Sequence, residues 1–168
     1  LPLHQVPGRS ALIFDYLPWR KSHQNTDKTL QSDHPAEPFA FSIVLPIFKP
    51  PPDALRACLS SISHQSYSNW EAILVDDASV DSSTRVIIEE FVNSDPRFQL
   101  LENPTNQGIG RSTNLGIARV QHDWVMFVDH DDQLVPQALA TIAQQITEKP
   151  DTQVLYSDEE KITNSGQP

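Results

Sequence analysis

The sequence is poor in several things that would otherwise define it. It has one cysteine (Cys58), one methionine and five glycines in 168 residues. A single thiol can close no intrachain disulfide and can assemble no cysteine zinc cluster. Basic residues are scarce: 12 Lys and Arg stand against 22 Asp and Glu, a net charge of −10. A chain of that sign repels a phosphate backbone, so no nucleic-acid partner is expected. A small phosphorylated ligand stays open, because a bound divalent cation inverts the local charge. No apolar run approaches the roughly 20 residues of a membrane-spanning helix. The first residues hold no basic stretch followed by an apolar one, so no secretory leader is expected there. These absences leave an acidic, soluble protein expected in the cytoplasm. The chain opens on Leu1 rather than Met, which points to a piece of something longer.

The acidity is unevenly placed. Residues 1–40 balance Arg9, Arg20, Lys21 and Lys28 against Asp15, Asp27, Asp33 and Glu37, so the whole excess falls in 41–168. Proline recurs in 1–40 and hydrophobic periodicity is slight, which reads as a linker or N-terminal extension. One apolar patch, Ala11 to Trp19, interrupts it and is read as a packing segment.

From Phe41 the chain alternates two patterns. Short apolar runs at Phe41–Ile47, Trp70–Val75, Phe98–Leu101, Trp124–Val128 and Gln153–Tyr156 read as five strands. Helical spacing follows at Asp53–Gln65, Asp81–Ser94, Ile109–Val120 and Pro136–Lys149. The second helix is expected to turn Val86, Ile87, Phe91 and Val92 inward. Strand four has no polar alternation, as expected of a strand covered on both faces. Alternation of this kind predicts an α/β fold: three layers around a mostly parallel sheet. Ligands then bind beyond the carboxyl ends of the strands.

The acidic clusters fall at those ends. Asp76 and Asp77 close strand two, Asp129-His-Asp-Asp132 closes strand four, and Asp158, Glu159 and Glu160 close strand five. Crowded carboxylates repel unless a cation joins them, and Mg²⁺ or Mn²⁺ accepts such oxygens together with substrate phosphates. Asp129, Asp131 and Asp132 are therefore the candidate metal ligands. Capping of the helix near Pro136 is the plainer alternative; the buried strand before the turn and the two neighbouring clusters favour the cation. Asp76 and Asp77 divide evenly between contacts to a base or ribose and a turn or cap for the helix near Asp81. Asn106 to Gly116 fails the dinucleotide fingerprint, because Thr113 stands where a third glycine belongs. Gly108 can still supply a positive-φ turn beside a ligand, and Arg111 a cation for a phosphate or for the neighbouring acids. His130 is either a ligand contact or a spacer. Cys58 reads as core.

Taken together, these residues resemble a family 2 glycosyltransferase on the A-type nucleotide-sugar fold, a Rossmann-like nucleotide-binding half. The pieces that carry the resemblance are Ser42–Phe48, Leu59–Tyr67, Trp70–Ser79, Asn106–Gly110, Asn114–Ile117, Val128–Asp132 and Tyr156–Lys161, in that order over residues 41–162. The last two look most like bacterial enzymes that build rhamnose-containing surface polysaccharides. The resemblance implies that Pro46 and Phe48 border the nucleobase, that Asp76 and Asp77 bind base and ribose, and that Gly108 and Arg111 border the nucleotide. It implies that Asp129 and Asp131, with Asp132 adjoining, hold Mn²⁺ or Mg²⁺ against the diphosphate. The donor would be a UDP-, TDP- or GDP-linked sugar and the acceptor a saccharide or lipid-linked saccharide, at the inner face of the membrane. The implied reaction is one displacement with inversion.

Members of the family continue into an acceptor-binding half that carries the catalytic carboxylate. Residues 41–168 are thus expected to be a donor-binding domain that binds nucleotide and metal, has no catalytic base, and partners the missing half or another domain. Two enzyme rivals fit less well. A haloacid-dehalogenase-type phosphatase wants Thr or Val where Gln133 stands, and opens its first strand with the motif. A receiver domain wants a strand-end lysine, and Lys161 lies beyond the strand. A non-catalytic nucleotide-binding or assembly module is the non-enzymatic alternative.

Overall fold

The computed structural model describes residues 38–79 and 81–157. The Ala11–Trp19 patch, nearly all of the expected linker, and Asp158–Glu160 lie outside them. Eight elements follow one another: β1 (Phe41–Ile47), α1 (Pro52–Ser63), β2 (Trp70–Asp76), α2 (Ser82–Ser94), β3 (Phe98–Glu102), α3 (Ile109–Ile117), β4 (Trp124–Phe127) and α4 (Ala138–Glu148). The strands form one sheet in the order β3-β2-β1-β4. Every pairing is parallel, with Ile43 beside Ala72 and Met126.

The central strands explain their own sequences. β1 and β2 have a strand on each side and helices on both faces, so each reads as a continuous apolar run. One face of β1, Phe41, Ile43, Leu45 and Ile47, joins the core built by α1, α2 and α4. The other face meets α3, where Gly116 lies against Val44 and Val75. The three expected layers are therefore present.

Local chemistry sets the helix starts. Pro52 opens α1, where a missing N–H costs nothing. Asp81 caps α2, accepting from the Thr84 N–H at 2.9 Å and from the Ser83 and Thr84 hydroxyls. Those donors pull the Asp81 carboxyl down to about 2. Leu55, Cys58, Leu59 and Ile62 form the buried stripe of α1.

Several expectations need correction. Val86 is 60% exposed, and Ile88 takes its inward place beside Ile87. Both lie within helical reach of the same stripe, and the packing of α2 on β3 and α1 chooses between them. Among the described residues β4 pairs with β1 alone and lies at the edge of the sheet; Phe127 is 59% exposed. Its apolar run therefore does not mean cover on both faces. Gln153–Tyr156 forms no strand, and Tyr156 is 92% exposed. An apolar run becomes a strand only when an edge pairs with its N–H and C=O groups, and no described strand does so. α3 ends at Ile117, where Arg119 N–H turns back to the Gly116 carbonyl at 2.9 Å.

A Cβ on Gly116 would lie 2.5 Å from Val44 Cγ1 and 3.3 Å from Val75 Cγ2. Gly→Ala inside a helix ordinarily gains about 0.5–1 kcal/mol, whereas overpacking costs about 1–3 kcal/mol. Gly116→Ala is expected to destabilise by about 1–2 kcal/mol, read as a lower urea midpoint at unchanged slope. A raised midpoint would contradict this packing.

Candidate nucleotide site at the carboxyl rim

β1, β2 and β4 end side by side, and each delivers part of the site. β1 runs out through Pro46 and Ile47 to Phe48, whose ring is 39% exposed, with Lys49 Nζ 5.0 Å from its centroid. Lys49 has φ +47° and Ala78 φ +62°. The turns carrying them are joined by the Lys49 N–H, which donates to Ser79 Oγ at 3.1 Å. Asp77 N–H donates to the Ile47 carbonyl at 2.8 Å, so the β2 turn is fastened to the end of β1.

Asp76 and Asp77 play different parts. Asp76 Oδ1 accepts from the Ser79 N–H at 3.0 Å and forms the turn. Asp81 supplies the cap of α2, which removes that role from the pair. The Asp77 carboxylate reaches across to the segment before α3. Oδ1 accepts from Gln107 N–H and from Asn103 Nδ2, both at 2.8 Å; Oδ2 accepts from Gly108 N–H at 2.8 Å. Burial alone would raise this carboxyl, but the donors from Gln107, Asn103, Gly108 and Ser112 outweigh it and hold it below its ordinary value. Gly108, at φ +82°, gives the loop the bend that aims two successive N–H groups at one carboxylate. The sequence marked Asp77 and Gly108 separately; their contact, and Asn103, it did not reveal.

Pro46, Phe48, Asp77, Gly108 and His130 come together around one hollow of about 370 Å³, with Ile109 on its rim. His130 thus lines the hollow. A second hollow, of about 360 Å³, lies between α1 and the start of α2 and contains none of the predicted residues. Arg111 is exposed and donates to Gln107 Oε1 at 3.0 Å, outside the lining.

The acidic turn follows β4. Asp132 N–H closes it on the Asp129 carbonyl at 3.0 Å, and Asp129, Asp131 and Asp132 are all exposed. None of them caps α4, whose N-terminus at Gln137 has no side-chain cap of its own. Beneath the turn, Cys58 Sγ donates to the Asp129 carbonyl at 3.5 Å. Burial, then the charges of Asp132, Asp131 and Asp129, push this thiol up to about 12, so it stays protonated. Hard carboxylate oxygens on an exposed turn are the donor set that Mg²⁺ or Mn²⁺ takes. Among the described residues, no three His, Cys, Asp or Glu side chains converge on one metal-binding point. The turn thus suits a cation that draws further oxygens from substrate or water. Among the described residues, no helix is long and apolar enough to cross a membrane.

Residues 42–165 match the profile of Glycosyl transferase family 2. The O-antigen biosynthesis protein RfbC of Myxococcus xanthus is 35% identical over 165 residues, which is 96% of this chain and 13% of RfbC. The uncharacterized protein y4gI of Sinorhizobium fredii is 34% identical over 125 residues, 74% of this chain and 14% of that protein. Among solved structures, S. aureus TarS 1-349 in complex with UDP is 26% identical, with a TM-score of 0.59 over 65% of this chain and 32% of that one. The mannosyltransferase PcManGT from Pyrobaculum calidifontis, in complex with GDP-Man and Mn²⁺, shares the fold at 18% identity and a TM-score of 0.55, over 74% of this chain and 38% of that one. The chain therefore spans about a seventh of these curated relatives and about a third of these solved structures.

Asp77→Asn replaces a charged acceptor by a group that meets backbone N–H with N–H, at a cost on the order of 2 kcal/mol near neutral pH. The folded carboxyl titrates below its ordinary 3.8. Its contribution is therefore present above that value and is lost as pH falls through the lower, folded one. Urea midpoints of wild type and Asp77→Asn are expected to stay apart down to about pH 4 and converge below it. A gap unchanged at pH 3 would mean that the charge does not hold the loop.

Proposed function

The chain belongs to glycosyl transferase family 2, and from that premise we propose that residues 41–157 form the nucleotide-sugar donor site of an inverting glycosyltransferase of surface-polysaccharide synthesis. The observation that carries this reading is the hollow at the carboxyl rim, with an aromatic ring at one side and an exposed acidic turn following β4. The base packs on Phe48 beside Pro46. Asp76, Asp77 and the Asn106–Gly108 loop stand at the base and ribose end, with Arg111 outside it. The diphosphate lies toward Asp129, Asp131 and Asp132.

A divalent cation, Mn²⁺ or Mg²⁺, is held by oxygens of that turn and supplies charge neutralisation to the diphosphate. In the reaction an acceptor hydroxyl attacks the anomeric carbon and the bond to the nucleoside diphosphate breaks. The hydroxyl proton passes to a base, and the leaving group carries away the electron pair of the broken bond. These residues bind and orient the donor; none of them is assigned as the base. The acceptor is a saccharide or lipid-linked saccharide, in keeping with the O-antigen biosynthesis protein among the relatives. UDP, TDP and GDP are the candidate nucleotides, UDP being the one bound to TarS.

Calorimetric titration of UDP, TDP and GDP, each with Mn²⁺ and with chelator, is expected to show tighter binding with metal for one nucleotide. Asp131→Ala should remove that gain by roughly 10- to 100-fold. No binding of any of the three would overturn the donor-site reading and favour an assembly module instead. Because no base is assigned here, these 168 residues are expected to release no nucleoside diphosphate from UDP-, TDP- or GDP-linked sugars with saccharide acceptors. Measurable transfer would place the base within them.

A further inference from the structure

The acidic turn is fastened to the protein by α1 and the residues just after it. Cys58 and Ser61 lie one turn apart on α1, and Gln65 follows two residues beyond its last turn. Cys58 Sγ donates to the Asp129 carbonyl at 3.5 Å. Ser61 Oγ accepts from Leu134 N–H at 3.0 Å while donating to the Cys58 carbonyl at 2.7 Å. Gln65 is fully engaged: its amide donates to Ser61 C=O at 3.1 Å and Val135 C=O at 2.8 Å, and its oxygen accepts from Leu139 N–H at 3.1 Å. Ser66 N–H adds a bond to the Pro136 carbonyl at 2.8 Å. The stripe thus holds the backbone from Asp129 to Leu139, and Gln65 supplies the acceptor that the start of α4 lacks in its own sequence.

We infer that Cys58, Ser61 and Gln65 are positioning residues, which fix the acidic turn at the geometry its ligand requires, with Gln65 as the principal one. They touch backbone alone in that segment and engage none of its carboxylates. They lie apart from Phe48, Asp77 and the Asn103–Gly108 loop, so the base end of the hollow does not depend on them. The inference rests on the proposed donor site, since it assigns the turn to the diphosphate end.

Two measurements on the full 168-residue chain separate positioning from bulk stability. In Gln65→Ala, amide hydrogen exchange is expected to rise across 129–139 and to stay unchanged across Asn103–Gly108. In nucleotide titrations, affinity with chelator should be that of the wild type, while the Mn²⁺-dependent gain falls roughly 10- to 100-fold. Ser61→Ala, a smaller lesion that spares α1 packing, should give a weaker version of the same split, and Ser61→Thr should restore it. A contact that merely stabilises the fold would lower the melting temperature and leave the ratio of the two affinities intact. That intact ratio in a folded Gln65→Ala variant would overturn the inference, as would unchanged exchange across 129–139. Wild-type protein without any Mn²⁺-dependent gain would sink the donor-site reading instead, and the exchange pattern would then decide whether the stripe orders the turn.

Discussion

A buried carboxylate is costly unless donors surround it, and Asp77 is buried at the end of the most enclosed strand pair in the molecule. Three of the donors that meet this demand, Asn103 and the N–H groups of Gln107 and Gly108, come from one place, the segment between β3 and α3. Satisfying Asp77 therefore fixes the bend at Gly108, and the bend fixes where α3 begins. Where α3 begins decides which residue meets the sheet, and only a glycine at 116 permits the approach to Val44. The same charge ties β2 to the loop that walls the hollow, while the Asp77 N–H ties β2 to the end of β1. A single desolvated anion thus couples the far face of the sheet to the shape of the site. Loss of the charge is felt first in the loop, because each of the three donors belongs to it.

Much of this was legible in the sequence, and the exceptions share one cause. β1, β2 and α1 announce themselves through local pattern, because a central strand and an amphipathic helix each impose a period on their own residues. The acidic rim was legible for a similar reason, since strand ends in a parallel sheet all face one side. Edge position imposes no such period. Trp124–Phe127 reads like a strand covered on both faces although among the described residues it lies at an edge with Phe127 exposed, and Gln153–Tyr156 reads like a strand although no described strand pairs with it. Val86 and Ile88 are equally apolar, and only the packing of α2 separates them. Gln65 was invisible as a site residue for the plainest reason: its partners Val135 and Leu139 lie 70 and 74 positions away. Asp77 was noticed, but its use as a loop anchor needs Asn103 and Gln107 in space, and no spacing rule brings them there.

Two charge economies exist side by side in this molecule. Elsewhere acids meet bases: Arg56 with Glu90, Arg97 with Asp95 at 2.7 Å and, at the end of β3, Glu102 with Arg85. At the rim, Asp77 is answered by backbone and neutral side-chain donors, and Asp129 and Asp131 have no ion-pair partner among the described residues. The groups that hold the segment from Asp129 to Val135 are a thiol, a hydroxyl and a carboxamide, all neutral and all directed at its backbone. A lysine or arginine in the same place would hold the turn as firmly and would cancel its field. Neutral anchors fix the geometry without cancelling the charges of Asp129 and Asp131. Crowded carboxylates repel unless a cation joins them. Anchoring an acidic turn through its backbone separates the holding of its shape from the use of its charge, which is what the proposed donor site asks of it.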